Sequence, residues 1–147
     1  MKKLKKIVSM LAAFLAAVCL AVCACAAVTR GTAKYNGSGE LKYDAGEAYV
    51  RTYYDCGTSS PFNNAKIQAQ AKTTRSGAAP YLYAEIKFRK LNEEIWTIQY
   101  DENAGKYDTK KTVEVTHNPW GIDYLSPESH ATASYGTILD YLLEVVE

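Results

Sequence analysis

The sequence predicts an all-β fold: an antiparallel β-sandwich of about seven short strands, preceded by a cleaved signal-peptide helix. Three observations carry that expectation. Charge and apolar residues are segregated at the N-terminus, and the rest of the chain repeatedly alternates apolar with polar residues between Gly-, Pro- and Asn-containing breaks. All 12 tyrosines fall after residue 27. Tyr has high strand propensity, and its phenol tolerates a half-wet sheet face.

The first element is the leader. Lys2, Lys3, Lys5 and Lys6 precede an uncharged run from Ile7 to Val22, and small residues follow at Ala24, Cys25, Ala26 and Ala27. A basic stretch, an apolar stretch and small residues at the cut are the three parts of a secretory signal. Cleavage is expected before Ala27 or Val28. The alternatives are an uncleaved span, since the apolar run is barely long enough to cross a bilayer, and lipid attachment at Cys25.

Removal of residues 1–27 leaves 120 residues, enough for one core and too few for two ordinary domains. The expected organisation is a signal peptide over 1–27 and a single domain over 28–147. Four of 17 basic residues leave with the leader, so 13 face 16 acidic ones and the net charge becomes about −3. That removes the electrostatic warrant for binding nucleic acid or anionic lipid. Cys19, Cys23 and Cys25 also leave, so Cys56 has no internal disulfide partner and the fold must be held by its core.

Along the domain, Thr32 to Tyr35 reads as a short edge strand and Asn36-Gly37-Ser38-Gly39 as a turn. Leu41 starts a strand interrupted at Gly46. Glu47 to Asp55 is a stronger one, with Ala48, Val50, Thr52 and Tyr54 on one face and Tyr49, Arg51 and Tyr53 on the other. Ala65 to Thr73 alternates at every step, which sorts its apolar residues as a strand and not as a helix. After a turn over 75–80, Tyr81 to Lys90 sends Leu82, Ala84, Ile86 and Phe88 inward. Tyr81, Tyr83, Glu85, Lys87 and Arg89 then face out. Further strands are expected over 95–100 (Trp96, Ile98 and Tyr100 forming the larger face), 109–116 and 130–135. The tail from Thr137 is open between a short helix, striped by Ile138, Tyr141, Leu142 and Val145, and a buried strand.

Two groups of residues suggest function. If the strands over 47–54 and 81–90 are neighbours, Tyr49, Arg51, Tyr53, Tyr81 and Tyr83 form one aromatic platform edged by cations, suited to stacking on sugar rings or clamping a peptide. The other group is Cys56 with His117 and His130, because a thiol becomes nucleophilic when an imidazole can take its proton. Asp55-Cys56, followed by two histidines a short way apart, resembles the cell-wall cysteine peptidases of the NlpC type. That resemblance implies a small hydrolase using Cys56 with His117 or His130. The chain departs from the pattern at Gly57-Thr58-Ser59-Ser60-Pro61, which delays any helix after the cysteine, and in lacking a Gly-Asp-Leu between cysteine and first histidine. Ser129-His130-Ala131-Thr132 resembles a short run in small secreted bacteriocins of the lactococcin type, which implies an antagonistic secreted protein.

His117, His130, Asp123 and Glu128 lack the i, i+4 or Cys-x-x-Cys spacing that marks a metal site. The expectation is therefore a secreted or cell-surface β-sandwich with a binding or structural role. It is expected to use no cofactor, metal or catalysis, to have no membrane span after cleavage, and to take a cell-wall glycan or peptide as partner.

Overall fold

The computed structural model of the chain describes residues 27–57, 65–104, 109–118 and 125–147. The leader expected over 1–27 lies outside them apart from its last residue. Among the described residues no helix is long and apolar enough to cross a membrane.

The described residues are all-β, with nine strands where about seven were expected. In chain order they are β1 (Val28–Lys34), β2 (Ser38–Ala45), β3 (Ala48–Asp55), β4 (Lys66–Thr73), β5 (Leu82–Phe88), β6 (Thr97–Glu102), β7 (Thr112–His117), β8 (His130–Tyr135) and β9 (Leu139–Val146). They form two packed sheets, one ordered β1-β9-β8-β5-β6 and the other β2-β3-β4-β7. The sandwich is not purely antiparallel, because β1 runs parallel to β9.

Alternation dictates the core. From one sheet Leu82, Ala84, Ile86, Ala131, Ala133, Leu143 and Val145 turn inward; from the other Val50, Tyr54, Ile67, Ala69, Ala71 and Val113 meet them. The expected inward set of β5 is buried throughout, and Tyr83, Glu85 and Lys87 are only partly covered. Alanines at the centre let the sheets approach closely, so the large side chains fill the ends. Tyr135 joins the layers, its phenol 3.1 Å from Thr73 Oγ1. Tyr54 donates to the Tyr35 carbonyl at 2.5 Å. Along one side β1 turns back as β2, and Gly39 allows the crossing: a Cβ there would lie 2.7 Å from Ala33 Cβ and 3.1 Å from the Thr32 oxygen.

The tail is a strand, with no helix. β9 lies between β1 and β8, and a central strand flanked on both sides reads as a nearly continuous apolar run. Asp140, placed like a helix-capping residue, accepts a hydrogen bond from Ser134 Oγ at 2.9 Å across the β8–β9 pair. Ile138, the first residue of the helical stripe, sits exposed in the turn after Gly136, whose φ is +56°. Backbone pairing with β8 and β1 outweighs the weak local preference for a helix.

Candidate functional site

The two tyrosine-bearing strands are not neighbours, and the single platform expected from them does not form. β3 belongs to the four-stranded sheet and β5 to the five-stranded one, so Tyr49, Arg51 and Tyr53 face out on one side of the sandwich while Tyr81 and Tyr83 lie on the other. The cause is the connection over residues 74–81. It leaves β4, which pairs with β3, and carries the chain across to β5 in the other sheet.

On the β3 face the polar groups are already joined to each other. Arg51 Nε lies 2.5 Å from Glu40 Oε1 on β2, and its Nη1 donates to Gln68 Oε1 on β4 at 3.4 Å. Gln68 and Gln70 in turn donate to the two carboxylate oxygens of Glu114 on β7, at 2.5 and 2.6 Å. The Arg51 guanidinium also lies 4.7 Å from the centroid of the Tyr53 ring. The result is a polar ladder across all four strands. Tyr49 instead lines an open hollow of about 360 Å³ beside the β2–β3 turn, with Asp44, Glu47, Gln70 and Lys72.

The β5 face is different. The Tyr81 and Tyr83 rings are nearly parallel with centroids 6.4 Å apart, and Tyr83 continues the row to Tyr100 of β6 at 6.5 Å. Their orientations are pinned by phenol-to-carboxylate hydrogen bonds, Tyr81 to Glu102 at 2.6 Å and Tyr83 to Glu85 at 2.5 Å. The bond to Glu102, with partial burial, pushes the Tyr81 phenol up to about 12. Burial first, and Glu85 second, also push the Tyr83 phenol up. A phenol in such a bond stays protonated, because ionising it would set two anions side by side.

Farther along the same face, Ile98 and Trp96 extend the row. Trp96 lies beneath two cations: Lys87 Nζ is 4.9 Å and Arg89 Cζ 5.0 Å from its ring centroid. Much of this apolar surface is open to solvent, with Tyr100 61%, Ile98 57% and Tyr81 45% exposed. The exposure accords with position, since β6 is an edge strand of its sheet. The strand starts at Thr97 and not at residue 95, so Trp96 precedes the ladder. Alternation alone had marked Trp96, Ile98 and Tyr100 as one face. Only the β5–β6 pairing, Glu85 opposite Tyr100 and Lys87 opposite Ile98, joins them to Tyr81 and Tyr83.

No hydrogen bond joins Cys56 to either histidine among the described residues. Cys56 Sγ bonds the Gly57 carbonyl at 3.2 Å, and burial followed by the Asp55 carboxylate pushes its thiol up. His117, at the end of β7, stacks on Phe88 with ring centroids 4.0 Å apart. Its Nε2 is buried without a hydrogen-bond partner among the described residues, and burial with nearby Lys90 pushes its pKa down. These directions are opposite to those of a thiolate–imidazolium pair. His130 starts β8 in the other sheet, its Nε2 3.7 Å from Glu85. No group of three His, Cys, Asp or Glu residues suited to a metal occurs among the described residues, and Asp123 lies outside them.

No family model, curated protein or solved structure matches this chain significantly.

Proposed function

We propose that this protein is a secreted or cell-surface binding module that contacts a glycan or peptide through the outward face of β5 and β6. The observation that carries the reading is the row Tyr81–Tyr83–Tyr100, three rings held nearly parallel by neighbours and carboxylates while two of them stay largely exposed. Rings fixed before binding lose little conformational freedom when a ligand arrives, so more of the contact energy remains as affinity. An exposed apolar stripe on an edge strand is also costly to keep in water unless something uses it. The basic leader, apolar run and small-residue end support export. Tyr49, Arg51 and Tyr53 drop to a subordinate place, because Arg51 is engaged by Glu40 and Gln68.

The test is binding of the purified protein to cell-wall glycans and peptides, compared with its Tyr83→Ala, Tyr100→Ala and Tyr53→Ala variants. A central aromatic in an interface costs about 2 kcal/mol or more when truncated, on the order of thirtyfold in affinity. The expected result is that loss for Tyr83→Ala and Tyr100→Ala and near-native affinity for Tyr53→Ala. Near-native affinity in the β5–β6 variants, with folding intact by near-ultraviolet circular dichroism, removes this face from consideration.

A further inference from the structure

We propose that the ligand of the β5–β6 face is an acidic glycan, in which carboxylate-bearing sugars are spaced by neutral ones, and that Lys87 and Arg89 take the carboxylate. The inference rests on reading that face as the contact surface and adds the chemical class of what it holds.

The first argument is charge. Lys42, Arg51, Lys90 and Lys110 each pair with a carboxylate, on Asp44, Glu40, Glu93 and Asp101 respectively. Lys66, Lys72, Arg75 and Lys111 lack a carboxylate partner among the described residues, as do Lys87 and Arg89, but only these last two share one ring on the β5–β6 face. Both lie over the single ring of Trp96, which keeps the two cationic centres within about 10 Å of each other. Arg89 is anchored further, its Nη2 donating to Ser126 Oγ at 2.8 Å. The Nε of that guanidinium is buried and has no hydrogen-bond partner among the described residues, so an anion is left the Nη1 protons and the second proton of Nη2. Two cations positioned in advance by one indole form a site for an anion, with little side-chain freedom left to lose.

The second argument is the order of charges along the face. The outward acids of β5 and β6 themselves are already engaged: Glu102 accepts from Tyr81, while Glu85 accepts from Tyr83 and faces His130. A ligand with a negative charge on every unit would press one against Glu85 or Glu102. A ligand whose acids are spaced by neutral units can set a carboxylate at Lys87 and Arg89 and lay uncharged rings over Tyr83 and Tyr100. From Trp96 to the level of Tyr81 the stripe spans about 26 Å at the usual strand rise, room for several sugar units. Sugars stack their C–H faces on aromatic rings while their hydroxyls remain hydrated, which suits rings as exposed as Tyr100 and Tyr81. An acidic peptide adding to the open edge of β6 would lie beside the row of rings and not over it, leaving Tyr83 and Tyr100 uncovered.

The experiment titrates the full chain with three probes at low salt. These are hyaluronan oligosaccharides (one uronate in each disaccharide), the same oligosaccharides after carboxyl reduction, and poly-glutamate. The expected result is binding of the acidic oligosaccharide, weakened about tenfold or more by carboxyl reduction. Lys87→Gln and Arg89→Gln should each produce a loss of similar size, shrinking as salt is raised, and should weaken binding of the reduced form much less than that of the acidic form. Equal affinity for the acidic and reduced forms overturns the assignment. If Tyr83→Ala then still abolishes binding, the contact face itself stands. Poly-glutamate binding as tightly as the oligosaccharide overturns the choice of a glycan, and failure of both oligosaccharides to bind overturns the proposal outright. The reduction arm uses unaltered protein, so a folding defect in Arg89→Gln does not blur the outcome.

Discussion

Replacing Phe88 by Ala tests the packing argument most directly. Phe88 ends β5 with 5% of its surface exposed, and its ring lies 4.0 Å, centroid to centroid, from that of His117 on the opposite sheet. Truncation removes the buried ring, leaves a cavity that rigid strands close only partly, and strands the imidazole against empty space. Phe-to-Ala changes at such sites cost about 3–5 kcal/mol. Against a total stability of about 5–15 kcal/mol, that loss is a large fraction. For a domain of this size it corresponds to a melting temperature lower by on the order of 10–25 °C. Urea denaturation monitored by tyrosine fluorescence measures it, with Tyr83→Ala as an exposed-face control expected to change stability far less. A Phe88→Ala loss below about 1.5 kcal/mol would refute the view that this end of the sandwich is tightly packed.

The same contact has a pH signature. Burial holds the His117 pKa below its ordinary 6.5, so the folded state resists the proton that the unfolded chain accepts. Its contribution to stability is complete above about pH 6.5 and is lost progressively as pH falls from there through the lowered folded value. His117→Phe keeps a flat ring against Phe88 and should remove this part of the acid sensitivity. An unchanged pH slope in that variant would show that His117 is not the group responsible.

Three further outcomes are expected. Tyr135→Phe loses the buried hydroxyl pairing with Thr73 that joins the sheets and should cost about 1–2 kcal/mol in the same urea assay; native stability would mean that the bond contributes nothing net. In an ultraviolet absorbance titration Tyr81 should ionise near 12, and Glu102→Gln should bring one phenol down toward 10; an identical curve would deny the hydrogen bond. N-terminal sequencing of protein recovered outside the cell should begin at Ala27 or Val28. Intact Met1 would refute cleavage, and a diacylglycerol mass on Cys25 would establish the lipoprotein alternative.

Local patterns were legible wherever one physical rule acted alone. Residues 47–55, 65–73 and 81–90 alternate so regularly that strand and buried face could both be read from them, because successive side chains in a strand point to opposite faces. The tail resisted because Leu142–Val146 is apolar on both faces, and such a run fits a helix or a central strand equally well until its neighbours are known. Trp96, Ile98 and Tyr100 were legible as a face of one strand. Their junction with Tyr81, Tyr83, Lys87 and Arg89 was not, since it depends on which strand β6 pairs with.

The sequence by itself determined the all-β class, the inward set of nearly every strong strand, and the pattern of an export signal. All of these follow from hydrophobicity and the two-residue period, which are local. Only the tertiary structure decided which strands share a sheet. Alternation says that Tyr53 and Tyr81 point outward but not that they point outward in opposite directions. That depends on the chain crossing from β4 to β5 between two layers, a choice made by packing the alanine-lined faces of β4 and β5 against each other. The same crossing divided five expected contact residues between two surfaces and left Tyr81 and Tyr83 beside the rings of β6.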